Sequence, residues 1–100
     1  MSDLADAIAQ EARLWILKEL AAQADGHLNE IIIARLLERK YGINRSREWV
    51  RTQLHKLAEL GAVEKLGTEE LVIARILRGG RDHLAGRSVI AGITRPHEVE

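Results

Sequence analysis

Between Arg45 and Lys56 the chain reads Arg-Ser-Arg-Glu-Trp-Val-Arg-Thr-Gln-Leu-His-Lys, and the side chains in that run suit one kind of chemistry, the recognition of nucleic acid. Arginine presents a planar fork of donors matched to guanine or phosphate, threonine and histidine can meet base edges, and lysine can reach the backbone. On a wheel of about 100° per residue, Glu48, Thr52, His55, Lys56 and Glu59 gather opposite Val50, Leu54, Leu57 and Gly61, while Arg47 and Arg51 border the apolar stripe. Arg45 stands in the preceding turn, placed for a phosphate. Ser46 is of the type that accepts hydrogen bonds from the free amides of a helix's first turn. Glu48 counts little against DNA, because a glutamate can accept from cytosine. The candidate DNA-contacting set is therefore Arg45, Ser46, Arg47, Glu48, Arg51, Thr52, His55 and Lys56, with the Trp49 indole expected to cover a groove beside the helix. The alternative for the same residues is a solvated helix face on a domain that docks protein.

Other chemistries find little support. The chain has no cysteine, which excludes disulfides, thiolate metal sites and cysteine nucleophiles. His27, His55, His83 and His97 are far apart, and none has a partner three or four residues away, so metal-ligand spacing is missing. Asp82-His83 with Ser88 lacks a nucleophile elbow and an oxyanion loop, and reads as the surface of a short turn. Gly79-Gly80 lacks the lysine and spacing of a phosphate-binding loop and reads as a strand terminator. The expectation is a non-enzyme that needs neither metal nor cofactor.

Basic and acidic residues balance at 15 each over 100 residues, so any pull on a polyanion has to come from how charge is distributed. Met1 to Asp25 holds two basic and five acidic residues, Gly26 to Gly61 seven and four, and Ala62 to Glu100 six and six. The net +3 of the middle third falls on the candidate helix. No run approaches the roughly 18 apolar residues of a membrane span, and no charged-then-apolar signal region opens the chain. A cytoplasmic location without membrane contact is expected.

Three helices and a hairpin must position the candidate set. From Ser2 to Ala24 there is neither glycine nor proline and good helix formers dominate. This long first helix carries one apolar stripe of Leu17, Leu20, Ala21 and Ala24 and another of Leu4, Ile8, Ala12 and Trp15. The second stripe either buries the helix more deeply or serves a homodimer contact, and because a domain of this size has little core to cover both faces the homodimer contact is preferred. His27-Leu28 is a short extended link and Asn29 a favoured N-cap. A second helix follows from Glu30 to Lys40, with Ile32, Ile33, Leu36 and Leu37 on its buried side and Tyr41-Gly42 closing it. Ile43-Asn44-Arg45 turns the chain into a third helix, Ser46 to Leu60. Helix, short turn, helix is the helix-turn-helix signature.

After Gly61 the period shortens. Ala62 to Leu66 and Leu71 to Leu77, joined by Gly67-Thr68-Glu69-Glu70, read as a β-hairpin wing. Arg81 to Ala85 allows one or two helical turns, ended by Gly86. Beyond Arg87, Val89, Ile90 and Ile93 suggest a short strand or a tail strapped over the domain, with Arg95-Pro96 closing ordered structure. The expected architecture is mostly α with a small β-hairpin wing: a winged helix-turn-helix with a three-helix core and a two- or three-stranded antiparallel sheet. Residues 1–86 would form the domain, and residues 87–100 a C-terminal extension packed on it or partly disordered.

This order of elements resembles the winged helix-turn-helix domains of small bacterial transcription regulators such as the MarR and ArsR superfamilies. The resemblance is carried by Leu28-Asn29, Ala34, Leu36-Leu37, Ser46, Val50, Leu54, Leu57, Leu60-Gly61-Ala62-Val63-Glu64, Leu77, Gly80 and Leu84. Leu84-Ala85-Gly86-Arg87, Val89, Gly92-Ile93 and Arg95-Pro96 also resemble the ending of small uncharacterised winged-helix proteins of Mu-like prophages. The resemblance implies a sequence-specific transcriptional regulator, expected to be phage-encoded, that reads double-stranded DNA in the major groove with helix 46–60. A protein-protein interaction module, as a phage accessory or assembly protein, is the alternative. Two departures stand out. ArsR-type sensors hold metal through cysteine, which this chain lacks, and Glu69-Glu70 put carboxylates at a wing tip that is basic in many winged helices.

Overall fold

The computed structural model describes residues 3–99. Along them run α1 (Asp3–Ala21), β1 (His27–Asn29), α2 (Glu30–Tyr41), α3 (Arg47–Glu59), β2 (Val63–Gly67), β3 (Val72–Ile76), α4 (Arg78–Leu84) and a 3-10 turn (Pro96–Glu98). The first-helix boundary expected at Ser2 lies outside the described residues, as do the outer ends, Met1 and Glu100, of the two expected segments. The strands make an antiparallel sheet in the order β1-β3-β2. Leu28 pairs with Ala74, and Val63 to Gly67 pair with Ile76 to Val72. The extended link at His27-Leu28 is thus the third strand of the sheet. The hairpin connection is four residues long but lies one residue later than expected, Thr68 to Leu71, and is closed by backbone hydrogen bonds between those two residues.

α1 lies at the centre, packed by α2, α3, α4 and β3. Ala12, Leu14, Ile16, Leu17 and Leu20 are all buried, and at 100° per residue they cover more than half of its circumference. The domain itself therefore covers part of the second stripe: Ala12 is fully buried in the chain's own core and has no surface to offer a second copy. Leu4 stays 74% exposed. The helix ends at Ala21, three residues before the expected Ala24. Residues 22–26 wind into tightened turns, Gly26 takes a left-handed φ of 72°, and the Asp25 carboxylate accepts the His27 amide at 3.1 Å.

The phase of α2 also differs from expectation. Ile33 and Leu37 are buried, but Leu36 is only half-buried and Ile32 is 39% exposed. The cause is Glu30, which is fully buried. With residue 30 inward, residues 33, 34 and 37 share its face, and residue 32 lies about 200° away. α3 buries Val50, Gln53, Leu54 and Leu57. Gly61, expected on that stripe, is exposed at a φ of 77° and forms the exit turn.

Gly79 and Gly80 do not simply stop β3. They lie inside α4, which the Leu77 amide holds against the Ala62 carbonyl at 3.0 Å. A β-carbon at Gly80 would approach that same carbonyl oxygen to 2.6 Å, so glycine is what lets the helix come this near. His83 is not a turn-surface residue either, being 1% exposed. Its Nδ1 accepts from the Ile90 amide at 3.1 Å, and its Nε2 donates to the Thr94 carbonyl at 3.0 Å, a pairing that requires the proton on Nε2. The strap it holds runs over α1: Arg13 Nη1 donates to the Gly92 carbonyl at 2.7 Å, the Thr94 amide donates to the Gln10 carbonyl at 3.3 Å, and Ile93 is buried. No strand forms among residues 87–99, and order continues past Pro96 through the 3-10 turn.

The Gly80 contact gives a test of sign. Helix propensity alone would make Gly80→Ala stabilising by about 1 kcal/mol, whereas the steric conflict with Ala62 should make it destabilising by about 2 kcal/mol. Urea melts of the two proteins distinguish these outcomes.

Candidate nucleic-acid interface

A helix-turn-helix needs α2 to stop cleanly and α3 to start within a few residues. Gly42 adopts the left-handed conformation at φ 70°, and its amide and that of Ile43 both turn back to the Leu37 carbonyl. Ser46 is extended, and its Oγ accepts the Trp49 amide at 3.1 Å. The Ser46 hydroxyl is thus engaged as the N-cap of α3. Arg45 lies over the Trp49 ring at 5.6 Å, so the half-buried indole supports the turn and carries a cation on its face.

From α3 outward, Glu48, Thr52, His55, Lys56 and Glu59 are exposed on one side, as the wheel requires. Thr52 Oγ1 donates to the Glu48 carbonyl at 3.0 Å. Lys65 Nζ, reaching over from β2, donates to His55 Nδ1 at 2.6 Å. An ammonium cannot accept, so the His55 proton sits on Nε2. Between α3 and the wing lies an open groove of about 640 Å³ lined by Arg51, His55, Lys65, Thr68, Glu69 and Val72.

Arg47 and Arg51 do not extend freely into this groove. Arg51 grips the buried Glu30 carboxylate with both arms of its fork, Nε to Oε1 at 2.8 Å and Nη2 to Oε2 at 2.5 Å. Arg47 Nη2 donates to Oε2 at 3.0 Å and also to the Glu70 backbone carbonyl. The Val72 amide, 2.8 Å from Oε2, makes the fourth hydrogen bond to the carboxylate. Chiefly through the Arg51 hydrogen bonds, and against the opposing effect of burial, Glu30 is held down at about 2. In return the guanidinium of Arg51 is held even more firmly in its charged form, first by Glu30 and then by the field of Glu48 and Glu69. The Arg47 and Arg51 side chains keep 41% and 29% of their surface exposed.

The first-helix set is dispersed. Ala12 is in the core, Ile8 is half-buried, and Leu4 is open to solvent. Trp15 stacks on Tyr41 with centroids 4.5 Å apart. Tyr41 Oη donates to Glu19 at 2.5 Å, and Lys40 pairs with the same carboxylate oxygen at 2.8 Å. Burial would push Glu19 up, but these two hydrogen bonds hold it below its ordinary range.

Glu30 and Lys65 escaped the sequence reading. At the first position of α2, Glu30 looks like an ordinary acidic residue favoured by the helix dipole. Its partners lie 17, 21 and 42 residues away. The available hint was that Arg47 and Arg51, one turn apart, border the apolar stripe. Lys65 belongs to the wing, where only pairing of the helix with the hairpin brings it to His55.

No protein-family model matches the chain. The uncharacterized protein gp26 of Escherichia phage Mu is 33% identical over 91 residues, which are 91% of this chain and 93% of that protein. Among solved structures, RosR of H. salinarum matches with a TM-score of 0.66 at 22% identity, over 76% of this chain and 67% of that one. The complex hsRosR-S4 matches at 0.64 and 22%, over 75% of this chain and 64% of the other, so the chain spans about two thirds of the RosR length. The DNA binding domain of the repressor BlaI matches at 0.52 and 17%, over 65% and 74%. At these identities the likeness is one of fold, and the fold is a winged helix.

Glu30 also makes stability depend on pH. Its carboxyl is depressed from an ordinary 4.5 to about 2, so the stabilisation is fully present above about pH 4.5 and is lost as pH falls through 2. At pH 7, Glu30→Gln should be less stable by about 2 kcal/mol, the size of a charged hydrogen bond's contribution. Denaturant melts of wild type and variant between pH 7 and 2 should show that gap closing over the stated window.

Proposed function

The chain belongs to the family of the phage Mu protein gp26, and from that premise and its winged-helix fold we propose that it is a phage-encoded, sequence-specific DNA-binding transcriptional regulator. In this reading α3 enters the major groove. The observation that carries it is the outward face of α3, where Glu48, Thr52, His55 and Lys56 are exposed beside a groove that also presents Lys65. Thr52 and His55, with its Nε2–H free to donate, are the base readers, and Glu48 accepts from cytosine. Lys56, Lys65 and Arg45 supply phosphate contacts. Arg47 and Arg51 border this face while holding Glu30.

A homodimer fits this role, because two copies of α3 would read half-sites about 34 Å apart. What supports it is the exposure of Leu4 and the partial exposure of Ile8 on α1. The second reading, a protein-docking module, draws on the exposed carboxylates of Glu69 and Glu70 at the wing tip and on the engagement of two arginines by Glu30.

Selection of bound duplexes from a random pool decides between the two: the DNA reading expects an enriched motif, and a folded protein that enriches nothing sinks it. On the enriched duplex, Lys56→Ala and Lys65→Ala should each weaken binding across all sequences and lower the log-affinity against log-salt slope by about 0.9. His55→Ala should instead relax preference at one base position, by about 1 to 3 kcal/mol.

For the dimer, sedimentation at micromolar concentration should give twice the chain mass, and Leu4→Glu with Ile8→Glu should halve it. A wild type that sediments as a monomer would end that part of the proposal.

A further inference from the structure

Four hydrogen bonds converge on the Glu30 carboxylate. Two guanidinium groups and a backbone amide converge on one pair of oxygens from α3 and β3, and one guanidinium binds in the bidentate manner that suits phosphate as well as carboxylate. Both arginines border the α3 face read above as facing DNA, and both remain partly open to solvent. Glu30 is delivered to them from a fixed point. Its helix is capped by Asn29, whose side chain accepts from Ile31 and Ile32 at 2.9 and 3.0 Å, and its own side chain is fully buried. A duplex phosphate competing for the same donors would have to displace a carboxylate that has already left water and has four hydrogen bonds.

Resting on the reading of α3 as the DNA-facing helix, we infer that Glu30 is an affinity-limiting positioning residue, a built-in phosphate mimic that withholds Arg47 and Arg51 from the DNA backbone. Affinity for DNA of any sequence grows with the number of phosphates neutralised. Taking two arginines out of that number lowers binding to every sequence while leaving the base readers Thr52 and His55 in place. The salt slope measures the effect: two fewer phosphate contacts flatten it by about 1.8, worth about tenfold in affinity between 50 and 200 mM salt. The acidic wing tip acts in the same direction, because Glu69 adds its field to Arg51 and the Glu70 carbonyl holds Arg47.

The test measures fluorescence anisotropy of the wild type, Glu30→Gln and Arg47→Ala on an enriched duplex and an unrelated duplex of equal length, across 50 to 200 mM salt. Glu30→Gln should steepen the slope by 1 to 2 on both duplexes alike, so that the affinity of each gains about tenfold more at 50 mM than at 200 mM salt. Arg47→Ala should leave the wild-type slope unchanged. An unchanged slope in Glu30→Gln, or a loss of about 0.9 in Arg47→Ala, overturns the assignment. A duplex-free arm separates this from the DNA reading itself. In Glu30→Ala the vacated donors should take inorganic phosphate, so that phosphate but not chloride at equal ionic strength raises the melting temperature, or restores folding if the variant is unfolded without it. The wild type should show no such difference. A wild type that binds no duplex, together with phosphate rescue of Glu30→Ala, fails the DNA reading and keeps the mimic; absence of rescue fails the mimic.

Discussion

A carboxylate removed from water must be met by donors on every side or it unfolds what surrounds it. Glu30 is in that position, and the way its demand is met sets much of the geometry of this domain. Because residue 30 has to point inward, α2 is turned so that Ile33 and Leu37 enter the core and Ile32 does not. Because its partners are Arg47 and Arg51, α3 is fixed in rotation against α2. Because the fourth partner is the Val72 amide, the start of β3 is drawn to the same point. The angle at which α3 is presented to anything outside thus depends on one side chain that no outside molecule touches.

Glu30 is one of four buried polar side chains among the described residues, and each joins elements that apolar packing alone would leave free to slide. Glu19 links α1 to the end of α2 through Tyr41 and Lys40. Gln53 accepts Arg13 Nε at 2.9 Å, linking α3 to α1. His83 ties α4 to the strap by both ring nitrogens. No buried side-chain polar atom among the described residues lacks a partner. The apolar stripes bring the helices together and these contacts choose the register, as expected when a buried polar group is costly unless its partner is in place.

Much of the fold was legible as spacing. Val50, Leu54 and Leu57 on one face of a helix capped by Ser46, followed by a change to strand-like runs, carried the helix-turn-helix and its wing from the sequence into the structure. The outward set Glu48, Thr52, His55 and Lys56 follows from the same wheel. What spacing cannot reveal is a partner chosen across the chain. The partners of Glu30, the approach of Lys65 to His55 and the burial of His83 all depend on elements meeting in space. Gly79 and Gly80 show the same limit in another form. A glycine pair after a strand reads as a break, and only the nearness of the Gly61 and Ala62 carbonyls reveals a helix that needed to lose its β-carbons. Ala12 was assigned to an outer stripe by its period, but α1 has neighbours on more than one side, which one helix's pattern does not disclose.

The Arg13 guanidinium joins parts of the chain that are far apart in sequence. One arm donates to Gln53 on α3 and another to the carbonyl of Gly92, 79 residues along the chain. The intervening helices and hairpin are what bring Gly92 within reach of Arg13, so the contact depends on the whole of the fold between them. α1 is therefore both the surface against which α2, α3 and β3 pack and the surface that Ile93 and its flanking carbonyls cross. Residues near the two ends of the chain finish side by side. The chain is thereby closed into a ring at Arg13, whose two arms join α3 on one side and the C-terminal strap on the other.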